Sequence, residues 1–157
     1  MIDVSLIERK YADAIKGIKK EWLFMANTEW FDHIVSLPKD IRITYLVTIL
    51  NVQVINGGFH QYFVNGYGQF APETIIALYE IEAIKKSRLL KKAFKIVNSN
   101  ESPINIFREK LLKKEIKPLF SGEELFEPLN ILDTEFYTID DENLDELLSN
   151  FLTSLEK

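Results

Sequence analysis

A chain of 157 residues with 46% hydrophobic and 27% charged side chains has the apolar content for one ordinary domain and is not composed like a disordered chain. The formal charge is −5 and cysteine is absent, which excludes disulfides, thiolate metal sites and cysteine nucleophiles; no apolar run reaches the roughly 18 residues of a membrane-spanning helix. Met1-Ile2-Asp3-Val4-Ser5 is not a basic leader followed by an apolar stretch, so no secretion signal is read and a cytoplasmic location is expected.

Val4, Ile7, Tyr11, Ala14, Ile15, Ile18, Trp22 and Met25 recur at spacings of three and four, which predicts a long first helix. A short piece carrying Trp30, Phe31 and Ile34 follows. Ser36-Leu37-Pro38 then supplies a capping hydroxyl and an opening proline for a second long helix from about Lys39. In that helix Ile41, Ile43, Tyr45, Val47, Ile49, Val52, Val54 and Ile55 are β-branched or aromatic, and partly alternate as a strand would. The run from Lys39 to Asn56 is too long for an ordinary strand, and apolar residues on every side describe a helix buried at the centre of the core.

Most of the glycines fall between Gly57 and Gly68, where they alternate with aromatics and carboxamides. Beyond them, Ala71-Pro72-Glu73-Thr74 reads as a helix start. Ile75, Leu78, Tyr79, Ile84, Leu89, Ala93, Phe94 and Val97 form a stripe with a break near Lys85. Asn98-Ser99-Asn100 ends that helix, and Ser102-Pro103 opens another carrying Ile104, Phe107, Leu111 and Leu112. Ser121 with Glu124 matches a capping box, and Leu144, Leu147, Leu148, Phe151, Leu152 and Leu155 predict a final helix opened by Asp140. The expected architecture is all-α: a single-domain bundle of about six or seven helices over residues 1–157.

The net charge conceals two opposed blocks. From Glu123 onward the charge is about −10, carried by Glu123, Glu124, Glu127, Asp133, Glu135, Asp140, Asp141, Glu142, Asp145, Glu146 and Glu156 against Lys157. Between Lys85 and Lys117 it is about +8. The basic block reads as a solvated face paired with the acidic tail, because only Phe94 and Phe107 interleave with its lysines and no nucleic-acid motif accompanies them.

Asn56, Gly57, Gly58, Phe59, Gln61, Tyr62, Phe63 and Asn65 form the pattern Asn-Gly-Gly-Phe-x-Gln-Tyr-Phe-x-Asn, and here the chain resembles a bacterial domain-of-unknown-function family named after a DNA-mimic protein. Ala77-Leu78, Ala83, Leu89-Leu90 and Ala93 also fit that family's next helix, and Leu132-Asp133 with Phe136-Tyr137 resembles its C-terminal signature. The likeness runs from about Pro38 to Leu152. It implies an all-α fold, often dimeric, with no assigned catalytic residues, and acidic side chains that imitate backbone phosphates toward a basic, DNA-binding protein. Glu82 departs from the pattern, standing where the family commonly has glycine, and the basic block departs from a uniformly acidic surface.

Two sites follow. In the glycine segment, Asn56 and Gly57 are expected to end the buried helix and Gly58 to permit close packing, with Phe59, Tyr62 and Phe63 filling the core; the competing reading gathers His60, Gln61, Asn65 and Tyr67 into a ligand pocket or active site. In the tail, Glu123, Glu124, Glu127, Asp133, Glu135, Asp140, Asp141, Glu142, Asp145 and Glu146 either complement helix dipoles on a wet face or dock a basic partner. His33 and His60 are the only histidines and have no metal-ligand spacing; no cofactor motif or enzyme signature is present. The leading reading is a non-catalytic binding protein.

Overall fold

The computed structural model describes residues 1–156, which are helical throughout, with short connections and no strand among them. The helices are α1 Val4–Ile15, α2 Glu29–Ser36, α3 Lys39–Val64, α4 Ala71–Glu80, α5 Ile84–Val97, α6 Ile104–Leu112, α7 Lys117–Phe120, α8 Phe126–Thr138 and α9 Leu144–Leu155. The first apolar stripe divides: α1 stops at Ile15, and Trp22 falls in a separate 3₁₀ turn, Lys20–Leu23. The break lies beside Gly17, where a Cβ would meet the His33 ring at 2.7 Å. His33 Nε2 lies 3.0 Å from the Ala14 carbonyl, one of the acceptors that the end of α1 leaves without a helical partner.

Helix α3 is the axis expected of it. It packs against α1, α4, α8 and α9, burying Ile43, Leu46, Val47, Leu50 and Val54. Its β-branched residues stay helical because burial on several sides outweighs their weak helix propensity. The apolar girdle is incomplete, since Val52 and Ile55 face outward. Ion pairs Lys10–Asp40 at 2.7 Å and Lys39–Glu80 at 2.9 Å tie its opening turn to α1 and α4. Beside it, the Trp30 indole donates to the Tyr45 hydroxyl (3.1 Å) and meets Tyr67 and Phe70 edge-on at 5.2 and 5.4 Å.

Several predicted caps are replaced. Ser36 turns its hydroxyl back to the His33 carbonyl, so Pro38 opens α3 without a side-chain cap. Ser121 and Glu124 form no capping box, and α8 begins at Phe126. Asn143 caps α9 instead of Asp140, accepting from the Glu146 amide at 3.0 Å.

The turn from α4 to α5 explains the break in its stripe. Glu82 adopts φ 72° and donates its amide to Tyr79 O (3.0 Å), while Ala83 donates to Leu78 O (2.8 Å). This is the Schellman end of a helix, whose left-handed position suits glycine. A glutamate there carries a steric cost that glycine lacks. Glu82→Gly is therefore expected to raise stability by about 1 kcal/mol, read as a higher urea midpoint with unchanged slope; a lower midpoint would mean that the glutamate side chain makes a compensating contact.

Candidate functional site

The glycine segment is a break inside α3. Gly57 (φ −152°, ψ 15°) and Gly58 (φ 77°, ψ −178°) leave helical geometry, and the helix resumes through Phe59 to Val64 before Gly66, at φ 88°, turns the chain. The expected helix end at Asn56 and Gly57 is thus a kink. A kink leaves carbonyls before it and amides after it without helical partners. Two of these are taken by α8: the Tyr137 hydroxyl donates to Val54 O at 2.7 Å, and Asp133 Oδ1 accepts from the Phe59 amide at 2.7 Å. Asp133 and Tyr137 lie one turn apart, and Phe136 between them meets the Phe59 ring edge-on at 5.7 Å.

Asp133 therefore leaves the acidic docking surface to which it was assigned. It is 9% exposed, and burial pushes its carboxyl above the ordinary value of 3.8, opposed by the Phe59 amide and the nearby His60. Phe59, Tyr62 and Phe63 fill the core as expected, and the Tyr62 hydroxyl lies 3.4 Å from Thr74 Oγ1.

His60, Gln61, Asn65 and Tyr67 do not converge on one pocket. His60 Nε2 lies 3.1 Å from the Leu119 carbonyl, and its ring stands edge-on to Phe126 at 4.6 Å. The carboxamides turn elsewhere: Gln53 Oε1 accepts from Gln61 Nε2 at 3.0 Å and from Asn65 Nδ2 at 2.9 Å, and Asn56 approaches Gln61 at 3.4 Å. Five residues of helix rotate Asn65 about 140° from His60, so the two face different surroundings. Asn65 and Tyr67 line a cleft with Gln53, Trp22 and Lys114, whereas His60 and Gln61 do not. Gln53 was not singled out from the sequence; its spacing from Gln61 and Asn65 becomes a contact only because α3 is kinked.

The acidic tail is also divided by the fold. Glu142 is buried and accepts from the Lys85 and Lys86 amides, both at 2.8 Å, which serves the otherwise unpaired start of α5. Asp141 pairs with Lys85 Nζ at 2.6 Å, and that ammonium holds its carboxyl below the usual range. Glu123, Glu124, Glu127, Glu135, Asp140, Asp145 and Glu146 are exposed, and none forms an ion pair among the described residues. The expected neutralisation of the tail by the basic block occurs only at Lys85 among those residues. Other basic groups are engaged locally: Lys86 places its ammonium 4.4 Å from the Phe136 ring centroid, and Arg108 grips both Glu73 oxygens at 2.8 and 3.0 Å while lying over Phe31. No group of three His, Asp or Glu among the described residues could hold a metal ion.

A family model described as DMP19-like protein matches residues 35–155. The chain belongs to this family. No curated protein and no solved structure matches it. The DMP19-like region takes in the kink and the α8 residues that seal it, and it begins after the 3₁₀ turn that carries Trp22.

At Gly58 the backbone is left-handed and a Cβ would run into the Asp133 carboxyl. Gly58→Val is expected to cost several kcal/mol and lower Tm by many degrees, whereas Gly122→Ala, with open space around its Cβ, should change stability by less than about 0.5 kcal/mol. Asp133→Asn keeps an acceptor for the Phe59 amide and removes the charge. Burial raises the folded carboxyl above its unfolded value, so the native state binds the proton more tightly; this contribution is full below the unfolded value and fades as pH rises through the folded one. The Tm of the wild type minus that of Asp133→Asn should be more positive near pH 4 than near pH 7, as measured by calorimetry, with His60 and Tyr137 unchanged in both proteins.

Proposed function

We propose that this DMP19-like protein is a non-catalytic binding protein that docks a basic, DNA-binding protein through its acidic C-terminal surface, in the manner of a DNA mimic. The observation that carries this reading is the set of exposed carboxylates at Glu123, Glu124, Glu127, Glu135, Asp140, Asp145 and Glu146, which make no ion pairs among the described residues. Carboxylates in that state keep their field for a partner, and lysines or arginines that ordinarily neutralise phosphates would neutralise them instead. Their supports are firm: Glu127 and Glu135 lie two turns apart on α8, about 12 Å along its axis, and Asp145 and Glu146 open α9. Asp133, Asp141 and Glu142 stand outside the proposed surface because the fold already uses them. Membership of the DMP19-like family supports the same reading; a bacterial cytoplasmic setting, where DNA-binding partners reside, is part of the proposal.

A second copy belongs to the proposal. Val52 and Ile55, three residues apart on α3, are exposed apolar side chains that suit an isologous contact between two chains and use none of the α8 carboxylates. Sedimentation equilibrium of Ile55→Glu beside the wild type tests it: dimer in the wild type and monomer in the variant is the expected pair of results.

The docking role is tested by affinity capture with the purified protein as bait, with and without competing duplex DNA. Recovery of a DNA-binding protein that both duplex DNA and raised salt displace is expected. Reversing Glu123, Glu124, Glu127 and Glu135 to lysine should abolish capture without lowering Tm by more than about 1–2 degrees. Capture that ignores DNA, salt and these reversals would refute the reading.

A further inference from the structure

We infer that the cleft between the Trp22–Met25 segment and the end of α3 is a binding site for a small aromatic carboxylate. It encloses about 390 Å³, within the range of roughly 300–1,000 Å³ typical of small-molecule sites. Trp22, Phe24 and Tyr67 contribute aromatic rings to its lining, backed by Trp30, which is 2% exposed. The walls are braced: Trp22 Nε1 donates to Glu29 at 2.9 Å, and Trp30 is held by the Tyr45 hydroxyl at 3.1 Å. At the mouth, Leu23, Phe24 and Met25 are 40%, 78% and 68% exposed, a run of apolar surface that a flat ring seated in the cleft would cover.

The polar part of the cleft specifies charge. Among the described residues Lys114 is the one cation that lines it and no carboxylate does, while Lys19 places its ammonium 6.0 Å from the centroid of the Trp22 ring and Glu29 is held on the Trp22 indole N–H. Lys114 forms no ion pair among the described residues. Gln53 Oε1 is occupied by Gln61 and Asn65, so Gln53 presents its Nε2 hydrogens. An ammonium and amide donors above aromatic walls match an apolar body bearing a carboxylate, and they repel an amine.

The backbone at Lys114 adds an independent observation. It takes φ 59°, donating to Leu111 O at 3.1 Å while Glu115 donates to Lys110 O at 2.8 Å, the same helix ending found at Glu82. Glycine would occupy this position without strain, yet the chain carries a lysine there, on a rigid cap and over the cleft. None of the carboxylates of the proposed docking surface lines the cleft, so the two sites stand or fall separately.

Titration of ¹⁵N-labelled protein with indole-3-carboxylate, neutral indole and 3-aminomethylindole, followed at the indole N–H signals of Trp22 and Trp30, tests the site. Saturable shifts with the carboxylate are expected, roughly tenfold tighter than with indole, with the amine weakest. Lys114→Gly should raise Tm by relieving the left-handed strain, while weakening the carboxylate about tenfold and leaving indole unchanged; Lys114→Gln should show the same loss with the cap's backbone kept. Equal affinity for the three probes, no saturable shift at either tryptophan, or carboxylate binding intact in both variants would overturn the inference.

Discussion

The hydrogen bond from the Phe59 amide to Asp133, paired with that from Tyr137 to the Val54 carbonyl, is the constraint on which the rest of this fold depends. A central helix can change direction only if the backbone groups freed at the break find partners, and in a buried setting each unpaired group would cost about 1–3 kcal/mol. Helix α8 supplies both partners from positions one turn apart. The second segment of α3 can then place Phe59, Tyr62 and Phe63 in the core and end at Gly66, which delivers Tyr67 and Phe70 to the Trp30 ring. A straight α3 would carry these residues to other faces.

The same logic sorts the acidic residues. A buried carboxyl needs donors in place of hydration: Glu142 at the start of α5 accepts from two amides, whereas Asp133 at the kink accepts from one and burial still disfavours its charged form. Asp141 is spent on Lys85 at the same corner. The acidic segment thus performs two kinds of work: some carboxylates close the backbone of neighbouring helices, and the others remain on the surface with their charge available. The two groups are interleaved, as Asp133 and Glu135 show, because α8 presents one face to α3 and another to solvent.

Helix endings provide a further link between backbone and site. Gly66, Glu82 and Lys114 all take left-handed conformations after helices, and only the first is glycine. At Gly66 a Cβ would make only ordinary contact with Trp30 and Leu112, at 3.5 and 3.6 Å, so it is the left-handed φ of 88° that favours glycine there. At Lys114 the chain accepts the steric cost and gains an ammonium beside an aromatic cleft whose other wall, the Trp22 segment, precedes the DMP19-like region.

Much of this architecture was legible in the sequence, because it rests on short-range signals. Periodicity marked α1, α5 and α9, Pro38 marked the start of α3, Asn98 to Pro103 marked the junction of α5 and α6, and length distinguished the β-branched α3 from a strand. The cluster at Gly57 and Gly58 announces a special backbone, but Tyr137 enters only through a resemblance and Asp133 through that and the acidic tail, neither as a partner of the glycines. That these residues meet, that His60 and Asn65 part company, and that Gln53 gathers two carboxamides were decided by tertiary structure alone. The physical reason is distance along the chain: Asp133 and Phe59 are 74 residues apart, and composition and spacing describe neighbours in sequence. A carboxylate's choice between interior and surface depends on which amides the folded chain brings to it.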